Sequence, residues 1–145
     1  MAHIGLLEDN IRIARLCATM LQYAGYEVTV YDHPRACLSA LLLQSLSPEK
    51  DEYEHATSQS DPTGLPVDVL ILDLNLPDIN GLEVVHALCS HPRTHSLPLI
   101  FCTAASSSEV VQALRVAPSA SFIGKPFTFQ ELTGAVKQAL TPSHT

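Results

Sequence analysis

The run Val67-Asp68-Val69-Leu70-Ile71-Leu72-Asp73 limits the folds open to this chain more than any other stretch. Four apolar residues in succession, two of them β-branched, leave no polar face for water. Such a strand must be covered on both sides, as the strands of a parallel sheet are. Pro77 and the later Asn80-Gly81 are turn signals that stop it. Asp73 therefore stands where a buried strand leaves its sheet, the edge at which open α/β sheets bind ligands. On this stretch alone, Asp73 could equally cap the turn that follows.

The rest of the chain alternates in the way a parallel sheet requires. Residues 2–7 read as a strand ending at Glu8-Asp9, with Asp9 or Asn10 able to cap the next helix. In that helix Ile13, Leu16, Cys17, Met20, Leu21 and Ala24 recur at the spacing of one buried face, and Gly25 ends it at the C′ position. A second strand over 27–31 leads to Asp32-His33-Pro34, two candidate caps and a first-turn proline. The helix that follows carries Cys37, Leu38, Leu41, Leu42 and Leu46 on its inner side. After the central run, a third helix over 81–89 presents Leu82, Val85 and Cys89, and a fourth strand over 97–102 closes on Thr103-Ala104. A short helix over 106–114 has only Val110, Val111 and Leu114 as an apolar face, and a fifth strand over 120–124 ends at Lys125-Pro126. Thr128-Phe129-Gln130-Glu131 is a capping box flanked by Phe127 and Leu132 as a hydrophobic staple, and it opens the last helix. Five strand–helix units in strict alternation predict an α/β fold: a five-stranded parallel sheet with right-handed crossovers and helices on both faces.

Size and charge narrow the function. A chain of 145 residues suits one domain with a proper core. It reads as a single unit over 1–141 followed by a tail at 142–145. The stretch 47–66 has five acids against Lys50 and little to bury, so it reads as an acidic surface loop, either a solvated spacer or a docking segment. The net charge of −7, with only eight scattered Lys and Arg, argues against direct nucleic-acid binding. No apolar run is long enough to span a membrane and the start lacks a signal-peptide pattern, which predicts a cytoplasmic protein. Cys17, Cys37, Cys89 and Cys102 each lie in an apolar stretch and read as reduced thiols acting as small hydrophobes. His86, His91 and His95 make no metal site, because Pro92 interrupts their helix and no further ligand lies suitably near.

The polar residues at the strand ends are Glu8 and Asp9, Asp73, Thr103 and Lys125. In a parallel sheet they share one edge. Two unit charges about 4 Å apart interact by roughly 4 kcal/mol at an effective dielectric of about 20, so three converging carboxylates need a counter-charge. Mg²⁺, which takes carboxylates together with waters and phosphate oxygens, meets that need, and Lys125 adds a point charge. Carboxylates, Mg²⁺, a lysine and a hydroxyl suit phosphoryl transfer, with Asp73 as the nucleophile and Thr103 as a hydrogen-bond donor to the transferred group.

These motifs resemble the receiver domain of bacterial two-component response regulators. The resemblance rests on Leu6-Leu7-Glu8-Asp9, on Asp73-Leu74-Asn75-Leu76-Pro77-Asp78-Ile79-Asn80-Gly81-Leu82-Glu83, on Thr103-Ala104 and on Lys125-Pro126-Phe127. It implies a CheY-like, flavodoxin-like (βα)5 three-layer sandwich with strand order 2-1-3-4-5. It implies that Asp73 accepts a phosphoryl group from a sensor histidine kinase or phosphotransfer protein. Asp9 and Asp73 would hold Mg²⁺ directly, Glu8 through water, and the Asn75 backbone carbonyl would complete the site. Thr103 and Phe122 would form the switch, Asn75 and Ala105 would tune the phosphoryl lifetime, and a downstream output protein or domain would read the result. Phe122 could also simply pack in the core.

Departures from the family pattern are local. Asp9 and Asp73 lie 64 positions apart, more than is usual, and the acidic loop accounts for the excess. Pro118 stands where a glycine is common, which leaves the end of the fourth helix open. Ser119-Ala120-Ser121 lacks the paired acids with which transcription-factor receivers often dimerise; a homodimer of another kind stays open. The expected protein is a phosphorylation switch with autodephosphorylation, not a turnover enzyme. It would act through another protein or belong to a longer chain. A phosphohydrolase would need an acid two residues after the nucleophile, where this chain has Asn75. A purely structural pseudo-receiver would have no need of the full set of Glu8, Asp9, Asp73, Thr103 and Lys125.

Overall fold

A computed structural model describes residues 2–42, 65–76, 80–104 and 106–141. Residues 47–64 of the acidic loop, Leu46, Pro77, Asp78, Ile79, Ala105 and the tail 142–145 lie outside the described residues. The elements are β1 (His3–Leu7), α1 (Ile11–Tyr23), β2 (Glu27–Tyr31), α2 (Pro34–Leu41), β3 (Val69–Leu72), α3 (Gly81–Ser90), β4 (Leu99–Thr103), α4 (Ser107–Val116), β5 (Ser121–Gly124) and α5 (Phe129–Leu140). The strands form one parallel sheet in the order β2-β1-β3-β4-β5, with His3 opposite Glu27, Ile4 opposite Val69, Leu70 opposite Leu99 and Ile100 opposite Ser121.

Strand alternation splits the core in two. Val69 and Ile71 of β3 join Ile4, Leu6, Ile100 and Cys102 beneath α1 and α5. Leu70 and Leu72 join Leu7 and Phe101 against α2, α3 and α4. Successive side chains point to opposite faces, so a strand covered on both sides has to be apolar throughout. All four residues of β3 are fully buried.

The helix ends follow local chemistry. Asn10, not Asp9, caps α1, its side chain accepting from the Arg12 and Ile13 amides at 3.0 and 3.2 Å. Gly25 takes φ +101°, the backbone conformation that favours glycine after a helix. His33 caps α2, with Pro34 in the first turn. The capping box of α5 closes both ways, Glu131 N–H to Thr128 Oγ1 at 3.0 Å and Thr128 N–H to Glu131 Oε1 at 2.9 Å. Phe127 and Leu132 pack in the same core cluster.

Several faces and ends differ from the sequence reading. On α1 the buried residues are Ala14, Cys17 and Leu21, and Leu16 is half exposed. The seat of α3 is Val84, Val85 and Leu88, with Leu82 and Cys89 at its margins. On α4, Val110 and Ala113 are buried and Val111 faces out. That helix runs two residues past the predicted end, and Pro118 does not shorten it. The Ala117 amide still bonds the Ala113 carbonyl, and proline is tolerated just beyond a helix cap. β3 and β4 each start two residues later than predicted. Asp68 instead takes the His3 amide on its carboxylate at 2.8 Å, and Pro98 has no amide to give a ladder.

Gly81 opens α3, as expected, and approaches Leu74 too closely for any side chain. A Cβ there would lie 2.5 Å from the Leu74 Cα and carbonyl oxygen, while the Gly81 amide bonds that same carbonyl at 3.1 Å. Gly81→Ala is expected to lower stability by about 2 kcal/mol, within the usual cost of overpacking, because the obstructing atoms are backbone. Urea unfolding checks this, and a variant as stable as the parent would refute the close approach.

Candidate functional site

The carboxyl ends of β1, β3, β4 and β5 gather the residues singled out at the strand ends. Glu8 extends β1, its amide bonding the Tyr31 carbonyl at 3.1 Å. Asp73 extends β3 in the same way, its amide on the Leu7 carbonyl at 3.1 Å. Both carboxylates are thereby tied to the sheet, and both are buried. Asp9 is exposed. One carboxylate oxygen from each of Glu8, Asp9 and Asp73 lies within 4.8 Å of the other two.

Lys125 joins the two buried acids. Its Nζ donates to Glu8 Oε1 at 2.7 Å and to Asp73 Oδ2 at 2.8 Å. The backbone fixes its root, because the Lys125 amide bonds the Thr103 carbonyl at 3.2 Å. The remaining carboxylate oxygens are used as well. Glu8 Oε2 accepts from the Asn10 amide at 3.2 Å, and Asp73 Oδ1 from the Asn75 amide at 2.9 Å. Among the described residues, every buried side-chain nitrogen or oxygen has a hydrogen-bond partner.

The charges follow from this packing. Burial raises the Glu8 carboxyl above its ordinary 4.5, outweighing the Lys125 hydrogen bond and charge that pull it down. Burial pulls the Lys125 ammonium down, but the hydrogen bonds and charges of Asp73 and Glu8 together hold it above 10.5. Lys125 is paired with two of the three acids, so a hard divalent ion among oxygen ligands fits the local charge deficit.

The other expected site residues fall around this centre. Thr103 is buried at the end of β4, opposite Gly124 in the ladder. Asn75 is exposed, with its amide turned to Asp73. Ala105 lies outside the described residues. Phe122 sits opposite Phe101 in register, yet its side chain is 43% exposed while Phe101 is fully buried. A place in the core is thus not what Phe122 occupies. It belongs to the edge strand β5, where Ile123, not Phe122, packs into a core cluster.

A family model for the response regulator receiver domain matches residues 4–137. The chain belongs to the response regulator receiver domain family. Among curated proteins, this receiver domain is 24% identical over 142 residues to the response regulator SaeR of Staphylococcus aureus, a match covering 97% of the chain and 51% of the relative. The chain thus spans about half the length of the curated relatives it matches. Among solved structures, the chemotaxis protein CheY4 of Vibrio cholerae is 25% identical with a TM-score of 0.72, covering 97% of this chain and 99% of that one. A CheY-like receiver domain protein from Methanospirillum hungatei is similar in fold, with 20% identity, a TM-score of 0.73, and coverage of 97% and 94%. The sheet order of this receiver domain is the flavodoxin-like one expected. Among its described residues, no helix is long and apolar enough to cross a membrane.

Two features of the site went unseen in the sequence. One is the Gly81–Leu74 approach that closes the loop after Asp73, signalled only by the Asn80-Gly81 pair. The other is the double engagement of Lys125, which the sequence reading treated as a general point charge.

Proposed function

We propose that this receiver domain takes a phosphoryl group onto Asp73 from a phosphohistidine of a sensor histidine kinase or phosphotransfer protein, and that the modification switches its binding to a downstream output protein or domain. The observation that carries the proposal is Lys125 Nζ held between Asp73 Oδ2 and Glu8 Oε1 in a cluster of three carboxylates. An Asp73 carboxylate oxygen attacks the phosphorus. The P–N bond to the histidine breaks, and the imidazole leaves with its electron pair. Lys125 offsets charge on the transferring oxygens, which is most of what phosphoryl transfer asks of a protein. Glu8, Asp9, Asp73 and the Asn75 carbonyl are the groups that would hold Mg²⁺. Bound there, the ion supplies further neutralisation of the carboxylates and of the phosphoryl oxygens.

Thr103, buried one strand away, moves to hydrogen-bond the new phosphoryl group, and the exposed Phe122 ring turns inward as it does so. The acyl phosphate is later hydrolysed at the same site, with Asn75 and Ala105 setting its lifetime. This is a switch in the cytoplasm, with no turnover of external substrates.

The test is the intact mass of the protein after incubation with acetyl phosphate. One added phosphoryl group is expected with Mg²⁺ and none with excess EDTA. Asp9→Asn should shift the Mg²⁺ requirement upward by about tenfold or more, the scale on which metal sites respond to lost carboxylate support. An adduct that forms equally well in EDTA would sink the metal-dependent reading.

A further inference from the structure

One glycine beside the site has no backbone reason to be a glycine. Gly25 needs its left-handed φ and Gly81 its close approach to Leu74, but Gly124 takes an ordinary φ and meets no backbone. It lies within β5, directly before Lys125. A glycine there weakens the strand, and such glycines mark places where something must approach or pass.

The neighbour that matters is Phe122. Among the described residues outside its chain neighbours, one atom lies within 4 Å of the place a Gly124 Cβ would take, and it is Phe122 Cζ at 3.7 Å. Cζ is the far tip of the ring. Residues two apart on a strand share a face, so the ring leans along β5 and lies over Gly124. The ladder sets Phe101 opposite Phe122 and Thr103 opposite Gly124. All four therefore share the face covered by α2, α3 and α4, with Phe101 and Thr103 buried and Phe122 exposed at the edge of the sheet.

We propose that Gly124 is a positioning residue for Phe122. By offering the ring tip no side chain, it leaves the exposed position unbraced, and residue 124 thereby sets how readily the ring turns inward. The link from ring to phosphorylation rests on the switch proposed above, whereas the hold of residue 124 on the ring does not.

The direction follows from the distance. An alanine methyl 3.7 Å from the ring tip makes an ordinary attractive contact without a clash. That contact exists only while the ring is in its exposed position. An interaction made in one of two states shifts the population toward that state. One methyl partly covered by an aromatic ring shifts it by about threefold. Reciprocity then requires that a ligand favouring the inward ring bind the braced protein more weakly by the same factor.

The experiment compares the parent, Gly124→Ala, Phe122→Leu and the double variant, with phenylalanine labelled at ¹³Cζ. The chain has four phenylalanines, and the signal lost in Phe122→Leu belongs to position 122. Beryllofluoride with Mg²⁺ serves as a reversible phosphoryl mimic at Asp73. In Gly124→Ala the new methyl should show a nuclear Overhauser effect to the Phe122 Hζ, and beryllofluoride should bind about threefold more weakly than to the parent. With leucine at 122, the same glycine substitution should leave the affinity unchanged, because a double-mutant cycle isolates what passes through the ring. No methyl–ring effect would overturn the positioning. Unchanged affinity in Gly124→Ala would mean that the ring merely covers an edge glycine, and a loss that persists without the ring would mean that residue 124 acts by another route. Either result overturns the coupling. A parent that fails to bind beryllofluoride would instead count against the acceptor site and take the coupling with it, and the methyl–ring effect would still decide the hold on Phe122.

Discussion

Lys125→Met is expected to lower the unfolding free energy by about 3 kcal/mol at neutral pH without divalent cation, the lower end of the cost of orphaning a buried charge. Methionine preserves most of the lysine stem but removes the one cation that Glu8 Oε1 and Asp73 Oδ2 share. Both acids are buried, and Asp9 lies close by. Their repulsion then goes unopposed until protons or metal relieve it. Mg²⁺ should return part of the loss, and the variant should gain more from Mg²⁺ than the parent does. Urea titration with and without Mg²⁺ measures both effects. A variant as stable as the parent in EDTA would mean that the ion pairs contribute nothing.

The same variant changes the pH profile in a direction that can be worked out. In the parent, Glu8 titrates above 4.5 when folded, so the folded protein holds a proton that the unfolded chain has released. Stability due to this group falls as pH rises through that window. The Lys125 contribution is complete below 10.5 and is lost as pH rises through its higher folded value. Without Lys125 the alkaline loss should vanish. The Glu8 decline should move to higher pH, because the lysine's opposing pull is gone.

Asp73→Asn is expected to abolish phosphoryl uptake while leaving the fold in place. Asparagine keeps the shape of the side chain and an oxygen for the Asn75 amide, but it has no anionic oxygen to attack phosphorus. Glu8 and Asp9 remain as carboxylates nearby. Glu8, like Asp73, has Lys125 on one oxygen and a backbone amide on the other, so Asp73→Asn decides between the two, whereas Asp9 is exposed. Intact mass after acetyl phosphate and Mg²⁺ should show no adduct, and circular dichroism should match the parent. An adduct of parental yield would place the acceptor elsewhere.

How much of this was legible before the coordinates depends on the residue. The β3 run could be read because burial on both faces leaves a one-dimensional signature, four apolar residues in a row. The α5 capping box was equally plain, because both partners lie within one turn. Helix faces were harder. In α1 the larger Leu16 outweighs Ala14 in any apolar count, yet Ala14 is the residue beneath the helix. In α3 the sequence is apolar nearly all round, so periodicity could not choose between Leu82 with Cys89 and Val84 with Leu88. Strand alternation placed Glu8, Asp73, Thr103 and Lys125 on one edge. It could not say that one ammonium bonds two acids, because that depends on side-chain reach across two strands. Nor could it reveal the Gly81 approach to Leu74.

The identity of the acceptor is the point on which the whole account turns, and borohydride trapping tests it directly. Protein incubated with acetyl phosphate and Mg²⁺ is treated with sodium borohydride, which reduces an acyl phosphate to the alcohol and turns the modified aspartate into homoserine. Peptide mass mapping then locates it. Homoserine at position 73, absent when EDTA replaces Mg²⁺, is the predicted result. Homoserine at Asp9, its homologue at Glu8, or no reduced residue at all despite an intact-mass adduct, would contradict the assignment of Asp73.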